Sequence, residues 1–341
     1  MTETNTTNSI DSLLKTATGD AADSLLEIAN NAASKDEKKA AKRALYLLSQ
    51  KGITPSLLQQ YTPPVAQKSA LQANVRFLMS NIDGGGNQML WFVLPDPDGG
   101  KPLLLSTLAS DEQGVKDFMA AKMTRSELEE KIELYEDEAD GLFADAEPDF
   151  GRWLVAQAQT VNREKLKPYP AGFLEFLPRI GEPEQQYDSP PLEGLPSAEE
   201  IDADETFPRE AAALLAKPVF DGWFLGMDVI LPELLTWMKT LAEKNDDGPD
   251  ETKFKRDAMI QRVTETVVTP GTRDRYVSRL LLSAIVCWKN EDETTAKQCL
   301  YHAHKLQTNS VASDFAIALV QRTLDAAREM LLGSMRERDS E

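Results

Sequence analysis

Apolar residues near the start of the chain recur three and four positions apart, the spacing of one helical face. Ile10, Leu13 and Leu14 mark a helix over Ser9 to Ala17, and Leu25, Leu26 and Ala29 mark one over Asp20 to Asn30. Ala41, Ala44, Leu45 and Leu48 mark a third over Lys35 to Lys51, with Gly52 placed to cap it. Thr54-Pro55 suits the cap and first turn of another. At Leu71 the period changes to two. Leu71, Ala73, Val75, Phe77 and Met79 alternate with a mainly polar set, which predicts a strand. Asp83-Gly84-Gly85-Gly86-Asn87 is a turn signal, Met89 to Leu94 is a continuous apolar run suited to a central strand, and Pro95 to Gly100 is a second turn before Pro102 to Leu108. The pattern predicts a three-stranded antiparallel meander.

Helical spacing then returns. Ser110 with Gln113, and Thr124 with Glu127, have the spacing of a capping box at the start of two helices. Further helices are predicted over Asp149 to Val161 and Pro170 to Leu177. Beyond Thr206 they are predicted over Asp228 to Glu243, Asp250 to Val268, Thr272 to Lys289, Glu293 to Leu306 and Ser310 to Leu332. The expected fold is mainly α with a small α+β module: N-terminal helices, the meander with its helices, then a C-terminal α-helical array or bundle. The expected divisions are an N-terminal helical region (1–62), the α+β module (63–177), an acidic Pro-rich linker (178–206) and a C-terminal helical domain (207–335).

One stretch of that last domain carries a known spacing. Leu280, Ala284, Cys287, Glu291, Ala296, Leu300 and Ala303 fall at the intervals of a tetratricopeptide helix pair, and the stretch resembles a single unit of that family. The resemblance implies two antiparallel helices packed closely at Ala284, Ala296 and Ala303. Glu291 stands where the family usually has a turn glycine. About 34 residues on, Asp314 and Met330 occupy the positions of Leu280 and Ala296, so no repeat follows.

Charge changes the picture more than composition does. Hydrophobic residues at 41% and charged residues at 27% are ordinary for a globular chain. The formal net charge of -19 is concentrated: Glu127 to Asp149 carries a net of -10 and Pro178 to Thr206 a net of -8, which leaves -1 for the rest. The first segment sets Leu128, Ile132 and Tyr135 on one helical face and carboxylates on the others. The second holds five prolines and few large apolar residues, and it reads as a linker or disordered loop. Two cysteines in 341 residues make no disulfide framework and favour a reducing compartment. Met1 to Ile10 lacks the basic region and apolar run of a signal peptide, and no apolar stretch is long enough to span a bilayer. A cytoplasmic protein is the expectation.

Candidate chemistry is sparse. Cys287, Cys299, His302 and His304 are all the cysteines and histidines in the chain, and Cys299-x-x-His302 could present two zinc ligands on neighbouring helical turns. His302 and His304, however, point roughly 200° apart on a helix, and both cysteines belong to apolar stripes, so packing is the expected role. No Gly-x-Ser-x-Gly elbow accompanies the histidines. The Gly84 to Gly86 run fits neither a P-loop nor a dinucleotide fingerprint, and is expected to turn the chain with positive φ. Asp137, Glu138, Asp140, Asp145, Glu147 and Asp149 could offer oxygen ligands to a divalent cation, but without EF-hand spacing they read as a solvated acidic face. Lys35, Lys38, Lys39, Lys42 and Arg43 form the one basic stripe, with Asp36 and Glu37 in the same helix.

No cofactor, metal site or catalytic residue is implied. The expected function is a non-catalytic interaction or adaptor protein acting through helical surfaces, the candidates being Lys35, Lys38, Lys39, Lys42, Arg43, Glu129, Glu133 and Glu136. A protein partner is expected, and nucleic acid and membrane are not. The alternatives are a carboxylate-dependent enzyme, with or without a divalent metal, and a nucleic-acid-associated factor using Lys35 to Arg43. Oligomeric state is not legible.

Overall fold

The computed structural model describes residues 10, 12–16, 18–31, 34–49, 53, 75–96, 98–139, 142–226, 230–236, 249–308 and 313–338. They fall into two compact units, residues 1–69 with 163–168, and residues 70–162 with 169–341. In the first unit, helices α1 (Gly19–Asn31) and α2 (Lys35–Ser49) pack as a pair, and residues 12–16 are helical as well. The apolar spacing becomes contact here: Ala22, Leu25, Leu26 and Ala29 of α1 share a core with Ala41, Ala44, Leu45 and Leu48 of α2. The small alanines let the two backbones approach, and Leu166 packs on the same core. The expected cap at Gly52, the turn at Thr54-Pro55 and the first residues of the expected strand, Leu71 to Asn74, lie outside the described residues.

The second unit is built on a five-stranded antiparallel sheet, not a three-stranded meander. Strands β1 (Arg76–Ser80), β2 (Asn87–Leu94), β3 (Leu103–Ser110), β4 (Gly114–Lys122) and β5 (Phe143–Ala146) lie in the order β4-β3-β2-β1-β5, so the apolar run from Met89 to Leu94 is the central strand. Ser110 does what a cap residue does, accepting the N–H groups of Glu112 and Gln113 at 3.2 Å each. The chain then turns into β4 rather than into a helix. A serine hydroxyl closes a hairpin turn with the same bonds it uses to start a helix, so the spacing alone does not separate the two. Strand β5 escapes the pattern because Phe-Ala-Asp-Ala has no β-branched residue and follows an acidic helix directly. Its pairing with β1 is reinforced where Arg76 grips Asp145 at 2.6 and 2.8 Å.

Helix α3 (Arg125–Ala139) covers one face of the sheet. Its start is the expected capping box, with Thr124 and Glu127 exchanging side-chain to backbone bonds. Leu128, Ile132 and Tyr135 reach down to Leu78, Trp91, Leu104 and Phe143, and the Phe143 ring sits 4.3 Å from Trp91 and 4.8 Å from Tyr135. Complete burial of a side chain such as Leu128 stabilises the packing by about 1.5–3 kcal/mol. The other face carries Phe77 and Phe92, their rings 4.8 Å apart, and α4 (Pro148–Glu164) lies there with its Gly151 against the Phe77 ring. Helix α5 (Phe173–Ile180) follows, its Phe173 against Phe118 of β4.

Residues 178–206 are more than a bare loop. They hold helix α6 (Ala198–Ala203), which starts with a complete Ser197–Glu200 capping box and buries Ile201. The Asp149 carboxylate accepts the Glu184 and Gln185 N–H groups at 2.6 and 3.0 Å, and Tyr187 packs edge-on against Phe150 and Trp153. Tyr187 packs, Ile201 is buried and acidic side chains find lysines, so a segment with little apolar surface still docks. Helix α7 (Ala211–Leu215) and a 3-10 turn at Pro218–Phe220 lead into the last helices.

Those helices are α8 (Pro249–Val267), α9 (Pro270–Lys289), α10 (Glu293–Thr308) and α11 (Asp314–Arg338). Residues 230–236 are also helical, and the remainder of the stretch expected over Asp228 to Glu243 lies outside the described residues, as does the loop from Asn245 to Gly248. Helices α9 and α10 form a tight hairpin with Ala284, Ala296 and Ala303 fully buried between them. At its turn Glu291 adopts φ 63°, a left-handed conformation that favours glycine.

Helix α9 also ties the sheet to the helical layer. Arg279, 1% exposed, donates to both Asp111 oxygens at 2.7 and 2.8 Å, to the Gly84 carbonyl at 2.7 Å and to Glu112 at 3.1 Å. Its guanidinium lies over the Tyr276 ring. Burial works against the charge, but the Asp111 carboxylate outweighs it and holds the guanidinium above its ordinary value. The glycine run makes this joint possible. Gly86 turns with φ 75°, as expected of the run, and at Gly84 a Cβ would lie 1.9 Å from the Gly222 carbonyl oxygen.

Candidate functional site

Helix α3 has an outer face as well as a buried one. Glu129, Glu133 and Asp137 are all exposed and stand four residues apart, so they form one row along the helix with about 6 Å between neighbours. Beside the row Leu134 is 53% exposed. Glu129 is paired with Arg125 at 2.8 Å and Glu127 with Lys101 at 3.2 Å, both at the N-terminal end. Towards the C-terminus, Glu133 and Asp137 carry no ion pair among the described residues. Glu136 is half-buried and turns inward, accepting the Phe143 N–H at 3.5 Å.

This arrangement works against the helix that carries it. Like charges four apart destabilise a helix by about 0.2–0.5 kcal/mol per pair, and carboxylates in the last turn oppose the macrodipole. The last turn of α3 holds no basic residue to compensate. A row of carboxylates that runs on to the unfavourable helix end, beside an exposed leucine, suits a cationic amphipathic surface brought from outside.

The basic stripe lies on α2, in the other unit. Lys39, Lys42 and Arg43 are exposed and Lys38 is half-buried, while the Lys35 side chain is outside the described residues.

The sulfur and imidazole groups are placed in the core. Cys287 and Cys299 are free and fully buried between α9 and α10. Burial pushes the Cys287 thiol up to about 12, and raises Cys299 well above its usual range. His302 is 1% exposed, its ring lies 5.8 Å from Phe315, and burial lowers it to about 4. His304 is half-exposed on the same helix. Thiols held protonated and an imidazole held neutral are groups arranged for packing.

Of the carboxylates considered as cation ligands, the Glu138 side chain and Asp140 lie outside the described residues, and the others are dispersed. Asp145 is taken by Arg76, while Asp149 caps the Glu184–Gln185 backbone and lies 3.6 Å from Arg152. Among the described residues no three histidine, cysteine, aspartate or glutamate side chains converge as a metal site would need, and no helix is long and apolar enough to cross a membrane.

No protein family, no curated protein and no solved structure matches this chain. Its own geometry is therefore the basis for a functional reading. Sequence reasoning selected Glu129, Glu133 and Glu136 on α3. It read Asp137 as part of a solvated acidic face and did not single out Leu134, which was legible as an apolar residue off the buried face.

Proposed function

We propose that the chain is a non-catalytic interaction protein of the cytoplasm, whose partner-facing surface is the Glu129–Glu133–Asp137 row of α3 with Leu134 beside it. The observation that carries this reading is the self-repulsion of that row. A sequence under selection for stability alone would place a lysine at Glu133, where it would join i, i+4 pairs, or at Asp137, where it would also offset the helix dipole. The partner is a basic surface with an apolar contact for Leu134, of which a helix with lysines or arginines four apart is the simplest form. The buried thiols and the neutral His302 support a role without nucleophilic chemistry.

The test is affinity purification from the native cell with the wild-type chain and with the Glu129→Lys/Glu133→Lys/Asp137→Lys variant. A partner retained by the first and absent from the second is the expected result. The same set of proteins on both would rule out α3 as the partner-facing surface.

A further inference from the structure

The basic stripe of α2 has the mirror image of the defect in α3. Helix α2 carries five basic residues against two acidic ones, and all five basic residues fall within positions 35–43, with none in the last turn. Cations in that half oppose the positive N-terminal end of the macrodipole, as the carboxylates of α3 oppose its negative end. Lys39, Lys42 and Arg43 are exposed and enter no ion pair among the described residues. Lys39 and Arg43, four apart, repel each other as Glu133 and Asp137 do. Leu47, four residues further along the same row, is 41% exposed and left out of the core that Ala41, Ala44, Leu45 and Leu48 share with α1.

Each helix therefore offers what the other lacks: like charges four apart, set against their own dipole, with one exposed leucine close by. Four residues of either helix span about 6 Å, so with two such helices antiparallel Arg43 meets Glu133 while Lys39 meets Asp137. Leu134 then lies against the aliphatic stems of Lys42 and Arg43, and Leu47 falls one turn on, against the Arg125–Glu129 pair. The antiparallel sense also gives each set of charges the favourable dipole end that its own helix denies it.

We infer, resting on the role proposed for α3, that its partner is a second copy of this chain, which docks α2 there. The two patches differ, so the contact is heterologous, the basic stripe of one copy meeting the acidic row of the next. A net charge of -19 repels two copies at a distance. At about 0.15 M salt, screening confines that repulsion to about 8 Å and leaves the paired side chains attractive.

Sedimentation velocity on the full chain at about 0.15 M salt tests the docking. The wild type is expected to associate with Kd on the order of 10–100 µM, the weak end of specific contacts. Lys39→Glu/Arg43→Glu and Glu133→Lys/Asp137→Lys are each expected to weaken self-association at least about ten-fold. All four residues are exposed and each reversal agrees better with its own helix dipole, so neither melting temperature should fall. Mixed in equal amounts, the two variants should associate again, because one retains a wild-type α2 and the other a wild-type α3. A wild type that stays single up to about 1 mM, a reversal that leaves association unchanged, or a mixture that stays single would each overturn the docking. So would a chain that stays single while α2 retains a DNA or RNA oligonucleotide. If the wild type stays single yet the α3 reversal still loses a different protein from the native cell, only the self-docking falls. If that reversal loses no protein, neither this chain nor another, the role of α3 falls with it.

Discussion

Arg279 and Asp111, 168 positions apart in sequence, meet in a two-point ion pair at 2.7 and 2.8 Å. The arginine is 1% exposed and the aspartate side chain 27%, so the two partners stand in unequal surroundings. Through this pair and the Gly84 carbonyl, helix α9 is locked to the hairpin turns at one end of the sheet.

Asp111→Ala is expected to destabilise the protein by about 3 kcal/mol, because it strands a buried guanidinium. Chemical denaturation should show it, and a double-mutant cycle with Arg279→Met should return a coupling of at least about 1.5 kcal/mol. Additive single effects would mean that the pair is incidental.

His302 makes stability depend on pH. Its folded pKa, about 4, lies below the ordinary imidazole value of about 6.5, so between these limits the unfolded chain binds a proton that the folded chain does not. Stability from this group is complete above about pH 6.5 and is lost as pH falls towards 4, with a loss of about 2 kcal/mol between pH 7 and 5. His302→Phe should remove that component. A variant whose pH profile over this range matched the wild type would show that the imidazole is not held neutral.

The segment around α6 is held to α10 by Lys305–Asp202 at 2.9 Å and Lys297–Asp204 at 2.8 Å. Asp202→Asn/Asp204→Asn should speed amide exchange in residues 198–203 several-fold and speed protease cleavage between 182 and 196. The core strands should be unchanged. Unaltered exchange would mean that Ile201 and the capping box suffice.

Glu291 holds a left-handed backbone without being glycine, a conformation that costs an L-residue about 1–2 kcal/mol. Glycine loses part of that gain to the flexibility of the unfolded chain. The expected net effect of Glu291→Gly is a stabilisation of up to about 1 kcal/mol, measured by denaturant midpoint. A loss of stability would mean that the side chain itself secures the turn.

The helical part of the fold was legible because burial on one side leaves a period in the sequence. The apolar stripes of α1, α2, α9 and α10 are the residues that meet in the core. The sheet was half legible. Strands β2 and β3 carry long apolar runs, whereas β4 hides behind a turn that resembles a helix start, and β5 depends on pairing with β1 that no local pattern announces. Within the acidic segment 178–206, expected to be a linker or disordered loop, residues 181–197 hold no helix or strand and only α6 adds regular structure. Its docking draws in part on lysines about 90–100 positions away, Lys297 and Lys305, and distant charge pairs leave no periodicity. Of the α3 surface, the acidic residues were visible, but their orientation away from Trp91 and Phe143 was settled by packing.

The α3 row is proposed to sacrifice helix stability for a partner, and Glu133→Lys tests both halves of that exchange at once. The change converts two like-charge contacts, with Glu129 and Asp137, into attractive ones, and should raise the melting temperature by about 2–4 °C. The same variant should lose the partner that the wild type retains from its native cell. A higher melting temperature together with lost binding is the expected outcome. Retained binding, or a melting temperature that falls, would contradict the role assigned to this surface.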